Sequence, residues 1–83
     1  MHYNPDSVAS AYAFFHQKWR VYAHSSIPSQ KDDIEYAISS YVESMDRNLY
    51  KDMAGHRDDF LVNHVHFSQD MKAALAFLEA IMQ

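Results

Sequence analysis

Residues 4–22 read NPDSVASAYAFFHQKWRVY, and this stretch contains both the start and the apolar stripe of a helix. Asn4 is a preferred N-cap, Pro5 suits the first helical position, and Asp6 interacts favourably with the positive end of the helix dipole. Apolar side chains then recur at steps of four and three, which is the spacing of one helix face. The stripe consists of Val8, Tyr12, Phe15, Trp19 and Tyr22. We therefore predict a helix over about residues 5–24, ended by the Ser-Ser-Ile-Pro sequence that follows.

A second stripe with the same spacing predicts a helix over about residues 29–54. Its members are Ile34, Ile38, Val42, Met45, Leu49 and Met53. Ser29 followed three residues later by Asp32 resembles a capping box, and Gly55 can adopt the left-handed conformation that often ends a helix. Such a helix is long for a small domain. A break near residues 47–50 is the alternative, and it would give four helices in all.

The stretch 58–66 leaves two interpretations open. Alternate residues from Phe60 to His66 have the pattern of a strand, but one strand has no evident partner in this chain. A four-three pattern that continues to the C-terminus favours one helix over about residues 58–82. A helix start at Ser68 is the alternative, which would leave 58–66 as a short helix or an extended segment.

Three amphipathic helices with short connections predict an all-α fold, a small three-helix bundle over residues 1–83 as one domain. No apolar run approaches the roughly 18–20 residues of a membrane span, and the N-terminus does not resemble a signal peptide. The chain has no cysteine, which excludes disulfides, thiolate metal sites and a cysteine nucleophile. We expect a cytoplasmic protein that does not bind membranes.

The charge balance argues against direct binding to nucleic acid. Seven Lys and Arg stand against eleven Asp and Glu, for a net charge of −4. Residues 27–59 hold eight of the acidic and four of the basic residues, so 4 minus 8 places the whole excess there. The only local concentration of positive charge is Lys18 with Arg20. A protein that neutralises phosphates needs a basic stripe, which this chain lacks.

The first and third predicted helices carry more large apolar residues than one core-facing stripe needs. A chain of this length buries about 60–65% of its unfolded surface, so we expect part of the surplus to form a homodimer through apolar helix faces. The predicted oligomer interface comprises Phe14, Phe15, Trp19, Phe60, Phe67 and Phe77. Two alternatives remain open: the aromatic residues are half-buried in a monomer, or they contact a different protein.

One face of the second predicted helix combines carboxylates with tyrosines, opposite the apolar stripe. The predicted partner-binding residues are Asp32, Glu35, Tyr36, Glu43, Asp46 and Tyr50. Carboxylates steer and orient association with a basic surface, and tyrosine supplies contact area at a low entropic cost. A solvated helix face, with Lys31–Glu35 and Glu43–Arg47 pairs at four-residue spacing, is the alternative.

These features predict a small acidic protein–protein interaction module without catalysis. It would act as an adaptor, a regulator or a stoichiometric inhibitor of another protein, for instance a nuclease or another nucleic-acid-binding protein. In general character it resembles the immunity proteins and anti-defence inhibitors of bacteria and phages, although no motif carries that resemblance. Catalysis is not expected, because the chain has no glycine-rich phosphate loop and no serine with elbow glycines.

An enzymatic or metal-binding protein is the alternative function. Arg57 and His64, with six residues between them, fit the loose Arg-x(4–6)-His pattern, so residues 57–64 resemble the small helical ribonucleases of the HEPN type. The resemblance implies that the Arg and the His act on an RNA 2′-hydroxyl and phosphate at a helical dimer interface. His66 and Asp70 stand four apart, as two metal ligands on a helix would. No strong zinc spacing is present, and we expect neither metal nor cofactor.

Overall fold

The computed structural model describes residues 3–83, and all regular structure in that range is helical. The predicted all-α class is therefore confirmed for the described residues, as four α-helices and no strand. The α-helices are α1 (Pro5–His24), α2 (Pro28–Ser44), α3 (Arg47–Ala54) and α4 (Phe67–Met82). A single 3-10 turn, His64–His66, precedes α4. Over residues 3–83, no helix is both long enough and apolar enough to cross a bilayer.

Helix α1 begins as the sequence predicts. The Asn4 side chain accepts a 2.8 Å hydrogen bond from the Asp6 amide, and Pro5 is the first helical residue. Helix α2 starts differently, because Ile27 occupies its N-cap position and no side chain caps it. The predicted capping box of Ser29 and Asp32 is therefore not formed.

The predicted helix 29–54 is divided in two at Met45 and Asp46, slightly before the break considered at residues 47–50. Asp46 caps α3, since its Oδ1 accepts hydrogen bonds from the amides of Asn48 at 2.8 Å and Leu49 at 3.1 Å. The Arg47 guanidinium donates to the carbonyls of Val42 and Met45. These bonds replace the helical hydrogen bonds that a continuous helix would make.

The prediction of one helix over 58–82 is wrong for its first nine residues. Residues 58–62 form bends and turns, and α4 begins only at Phe67, close to the alternative start at Ser68. Leu61 has φ +68°, a left-handed conformation that no right-handed helix contains. Asn63 then caps the 3-10 turn, because its Oδ1 accepts a 2.9 Å hydrogen bond from the Val65 amide.

The hydrophobic core lies where α1 and α4 pack together, with α2 against α1 and α3 against α4. Tyr22 of α1 packs against Phe67 of α4, with ring centroids 4.9 Å apart. Gly55, with φ +69° and ψ −116°, ends α3 in a positive-φ conformation that glycine adopts readily, and the chain turns back towards α4. The largest fully buried apolar side chains are Phe15, Ile38, Leu49, Leu61, Phe67, Met71 and Leu78.

Candidate functional site

Helix α2 presents one acidic face to solvent, which we call the α2 face. Its exposed members are Asp32, Asp33, Tyr36, Ser40 and Glu43. At 100° per residue these positions fall within an arc of about 100°, opposite the buried Ile34, Ile38 and Val42. Tyr36 lies in the middle of the arc and is 75% exposed. The one cation of α2, Lys31, turns away and places its ammonium 4.9 Å from the centre of the Tyr22 ring.

The structure separates the six residues predicted to bind a partner into two groups. Asp32, Tyr36 and Glu43 lie on the α2 face. Glu35, Asp46 and Tyr50 instead make hydrogen bonds within the chain. The prediction that all six lie on one continuous strip from residue 32 to residue 50 is therefore wrong. The helix breaks at Met45 and Asp46, and the side chains of the second group bond to partners within the chain.

Glu35 is the centre of a cluster that joins three elements. Its side chain is 15% exposed. The Tyr22 hydroxyl donates to Oε2 at 2.9 Å, and Nδ1 of His64 lies 2.8 Å and 2.9 Å from the two carboxylate oxygens. Burial, together with the hydrogen bond to Glu35, raises the pKa of Tyr22 to about 12. The hydrogen bond to Glu35 also raises the pKa of the exposed His64. The cluster therefore ties the 3-10 turn to α1 and α2.

A second cluster holds the loop between α3 and α4. Asp70 is 1% exposed and accepts a bidentate contact from Arg57, with Nη1–Oδ1 at 2.5 Å and Nη2–Oδ2 at 3.1 Å. The Leu61 amide donates to the same Oδ2 at 3.0 Å. Asp59 contacts both Arg57 and Asn63, and hydrogen bonds from Asn63 and then Arg57 lower the pKa of Asp59. These contacts hold Leu61 in its left-handed conformation with its side chain in the core.

This loop also exposes two apolar side chains, which belong to the surplus expected of the third predicted helix. Val62 precedes the 3-10 turn and is 50% exposed, and Val65 lies within that turn and is 81% exposed. Neither belongs to the four-three stripe predicted over residues 58–82, so the sequence already indicated that both lie off the core face.

The residues of the alternative enzymatic function lie in two separate clefts. Arg57 lines a cleft together with His66 and Asp70, whereas His64 lines another with Tyr22 and Glu35. The stretch 57–64 forms turns and the start of the 3-10 turn, so its Arg and His do not share a helix.

Asp70 does not pair with His66 in the way a two-ligand metal site would require. Both carboxylate oxygens of Asp70 receive hydrogen bonds from Arg57, and one of them also receives the Leu61 amide. Across residues 3–83, no three His, Cys, Asp or Glu side chains come together as metal ligands.

Three residues of the predicted oligomer interface belong to the core of one chain. Phe15, Phe60 and Phe67 are buried, so a second copy has no access to them, and their assignment to an interface is wrong. The other three, Phe14, Trp19 and Phe77, are partly buried against the core. Phe14 stacks on Tyr41 with ring centroids 4.5 Å apart, and Trp19 stacks on Tyr22 at 5.9 Å. These six aromatic side chains are therefore wholly or partly covered within the chain.

Phe77 lines an apolar groove between the start of α1 and the end of α4. The groove has a volume of about 550 Å³, and its lining consists of Tyr3, Pro5, Val8, Ala9, Phe77, Ile81 and Met82. The Tyr3 hydroxyl at its edge donates to Asp52, and this hydrogen bond raises the pKa of Tyr3 to about 12. The groove offers space for an apolar group, but it brings no set of reactive side chains together.

Comparison of the chain with protein-family models, with curated proteins and with solved structures gives no match. Function is therefore inferred from the side chains described above. The α2 face is the acidic surface whose side chains are not engaged in holding the fold together. It is the candidate functional site.

Proposed function

We propose that this protein acts by binding another protein through the α2 face, as an adaptor, a regulator or a stoichiometric inhibitor, and without catalysis. One observation carries the proposal. Tyr36 is 75% exposed at the middle of a helix face that carries three carboxylates and no cation. Exposed tyrosines are frequent anchors of protein interfaces, because the ring provides contact area and the hydroxyl a hydrogen bond.

The charge of the α2 face indicates the chemistry of the partner. Asp32, Asp33 and Glu43 take part in none of the ion pairs formed within residues 3–83. Unpaired carboxylates attract a basic surface over about 10 Å at moderate salt and orient it as it approaches. A nucleic-acid-binding protein of the cytoplasm, such as a nuclease, has a surface of this kind. Nucleic acid itself is not the proposed ligand, because its phosphates would be repelled by the same carboxylates.

The proposal is tested by comparing immobilised variants as baits in a lysate of the source cells. The baits are the wild type, Tyr36→Ala and the double variant Asp32→Lys, Glu43→Lys. A matched control, Asp58→Lys with Glu79→Lys, makes the same change in net charge at exposed positions outside the α2 face. Proteins retained by each bait are quantified by mass spectrometry, and the affinity of the recovered protein is then measured by calorimetry at two salt concentrations.

We expect a basic protein that the wild type and the control retain and that both α2-face variants lose. Its affinity should fall as salt rises, because charge pairs at an interface rim are screened. Equal retention by all four baits would contradict the proposal. So would a partner whose binding is insensitive to salt.

A further inference from the structure

The charges of the first two helices are separated into two blocks along the chain. Residues 7–31 contain three Lys and Arg, and they contain no Asp or Glu. Residues 32–46 contain five Asp and Glu, and they contain no Lys or Arg. The surface of a small domain usually mixes positive and negative side chains. Here each sign is confined to its own block, so α1 and α2 carry opposite net charge.

Of the three cations in the basic block, Arg20 lies in a second exposed surface, which we call the α1 face. It occupies the C-terminal half of α1, where a shallow depression of about 370 Å³ lies between exposed side chains. Its members are His16, Gln17, Arg20, Val21 and His24. Because only residues 25–27 connect α1 to α2, the α1 face and the first turns of α2 lie at the same end of the molecule.

The charges of these two faces do not neutralise each other within one chain. The ion pairs of residues 3–83 are Arg57 with Asp59, Arg57 with Asp70, and His64 with Glu35. Arg20 of the α1 face and the three carboxylates of the α2 face are in none of them. Lys18, beside the α1 face, lies over the ring of Phe14 at 5.5 Å instead of contacting a carboxylate.

We infer that the α1 face and the α2 face bind a second copy of this chain. In a twofold-symmetric pair, the α1 face of each copy lies on the α2 face of the other, so the same complementary contact forms twice and closes the assembly. Exposed apolar groups accompany the charges: Val21 on α1, Ile27 in the connecting turn and Tyr36 on α2. Their burial adds a hydrophobic contribution between the two charged contacts.

The net charge of −4 opposes association of two copies, but distance limits this repulsion. At about 0.1 M salt, charges farther apart than about 10 Å are largely screened. The charges that meet at the contact therefore outweigh those on the remote parts of the two molecules. The pair differs from the predicted apolar dimer, since it needs none of the buried phenylalanines.

The inference uses the α2 face of the proposed function but does not depend on a foreign partner. A second copy would cover the α2 face, so a basic partner would have to displace it. The two proposals fail separately. Arg20→Glu removes the dimer and leaves the α2 face intact and uncovered, so this variant should retain a foreign protein at least as well as the wild type does.

The test is the absolute mass in solution by light scattering and sedimentation equilibrium, on the full chain at about 0.1 M and about 0.5 M salt. We expect a dimer at the lower salt that dissociates at the higher. Arg20→Glu and Asp33→Lys should each weaken the dimer by about tenfold or more, because each reversal places like charges together at both symmetric contacts. Lys72→Glu, at an exposed position of α4, makes the same change in net charge as Arg20→Glu and should leave the dimer intact.

Mixing the two variants tests the pairing itself. Arg20→Glu gives one chain an acidic α1 face, and Asp33→Lys gives the other a less acidic α2 face, so a heterodimer should form where neither variant dimerises alone. Circular dichroism confirms that both variants remain folded. A wild type that is monomeric under all of these conditions would overturn the inference. So would a dimer that forms equally well at both salt concentrations and in Arg20→Glu, or a mixture of the two variants that stays monomeric.

Discussion

The loop between α3 and α4 and the outer surface of α2 use the same kinds of side chain in opposite ways. In the loop, Arg57 and Asp70 contact each other, and Asp70 also accepts the Leu61 amide. On α2, Asp33 and Glu43 contact no cation in the part of the chain that the structure describes. Charges in the loop therefore hold the chain together, whereas the carboxylates of the α2 face remain available for another molecule. Substitutions should affect stability in the first region and binding in the second.

The largest loss of stability is expected from a substitution in the hydrophobic core. Phe67→Ala removes a fully buried ring that packs against Tyr22, and we expect the free energy of unfolding to fall by about 3–5 kcal/mol. Urea denaturation followed by circular dichroism measures the change. Tyr36→Ala on the α2 face is the comparison and should change stability by less than about 0.5 kcal/mol. Similar losses in the two variants would mean that Tyr36 is a packing residue.

Asp70→Ala tests most directly whether a charge in the loop, unlike a charge on the α2 face, stabilises the fold. This substitution leaves the buried Leu61 amide without an acceptor and removes the anchor of Arg57, so we expect a loss of about 2–4 kcal/mol in the free energy of unfolding. Asp33→Ala removes an aspartate carboxylate from the α2 face instead, and its free energy of unfolding should lie within about 0.5 kcal/mol of that of the wild type. A loss from Asp33→Ala as large as that from Asp70→Ala would remove the distinction between the two regions.

A smaller effect is expected from the hydrogen bond between Tyr50 and the loop. The Tyr50 hydroxyl donates to the Phe60 carbonyl at 2.7 Å, and burial raises the pKa of this tyrosine. Tyr50→Phe keeps the ring and removes the donor, so we expect a loss of about 1 kcal/mol in the free energy of unfolding. Faster hydrogen exchange at the amides of residues 59–62 would locate that loss in the loop, and an unchanged exchange pattern would contradict it.

The smallest effect depends on pH. Because Glu35 raises the pKa of His64 above the value of about 6.5 in the unfolded chain, the contact stabilises the fold fully below about pH 6.5. Its contribution is lost as pH rises through the higher pKa of the folded state. His64→Ala should therefore lower the melting temperature most near pH 6 and least near pH 8. His56→Ala, another exposed histidine, is the control, and the same pH profile in both variants would count against the Glu35 contact.

The parts of the fold that depend on neighbouring residues were predictable from the sequence. The cap at Asn4 and the four-three stripe specify α1, because both are properties of one continuous segment. The break at Asp46 was harder to place, since the apolar stripe continues in register through Met45 and Leu49. Only the local hydrogen bonds of Asp46 and Arg47 show where the helix ends.

The loop 55–63 could not be predicted, because its conformation depends on a residue that follows it in α4. Asp70 lies nine residues after Leu61 and thirteen after Arg57, and periodicity carries no information about such a contact. The candidate site was only partly predictable, because part of it depends on contacts between distant residues. Helical spacing alone places Asp32, Tyr36 and Glu43 on one face, but the inward turn of Glu35 depends on His64, twenty-nine residues away.

The central claim is that the α2 face binds a partner and does not hold the fold together. The most direct measurement follows the double variant Asp32→Lys, Glu43→Lys in two ways, by its free energy of unfolding in urea and by its affinity for the protein that the wild type retains. We expect a stability within about 0.5 kcal/mol of the wild type and an affinity at least about tenfold weaker. A variant that binds as tightly as the wild type, or one that loses binding only because it unfolds, would show that the α2 face is not the binding surface.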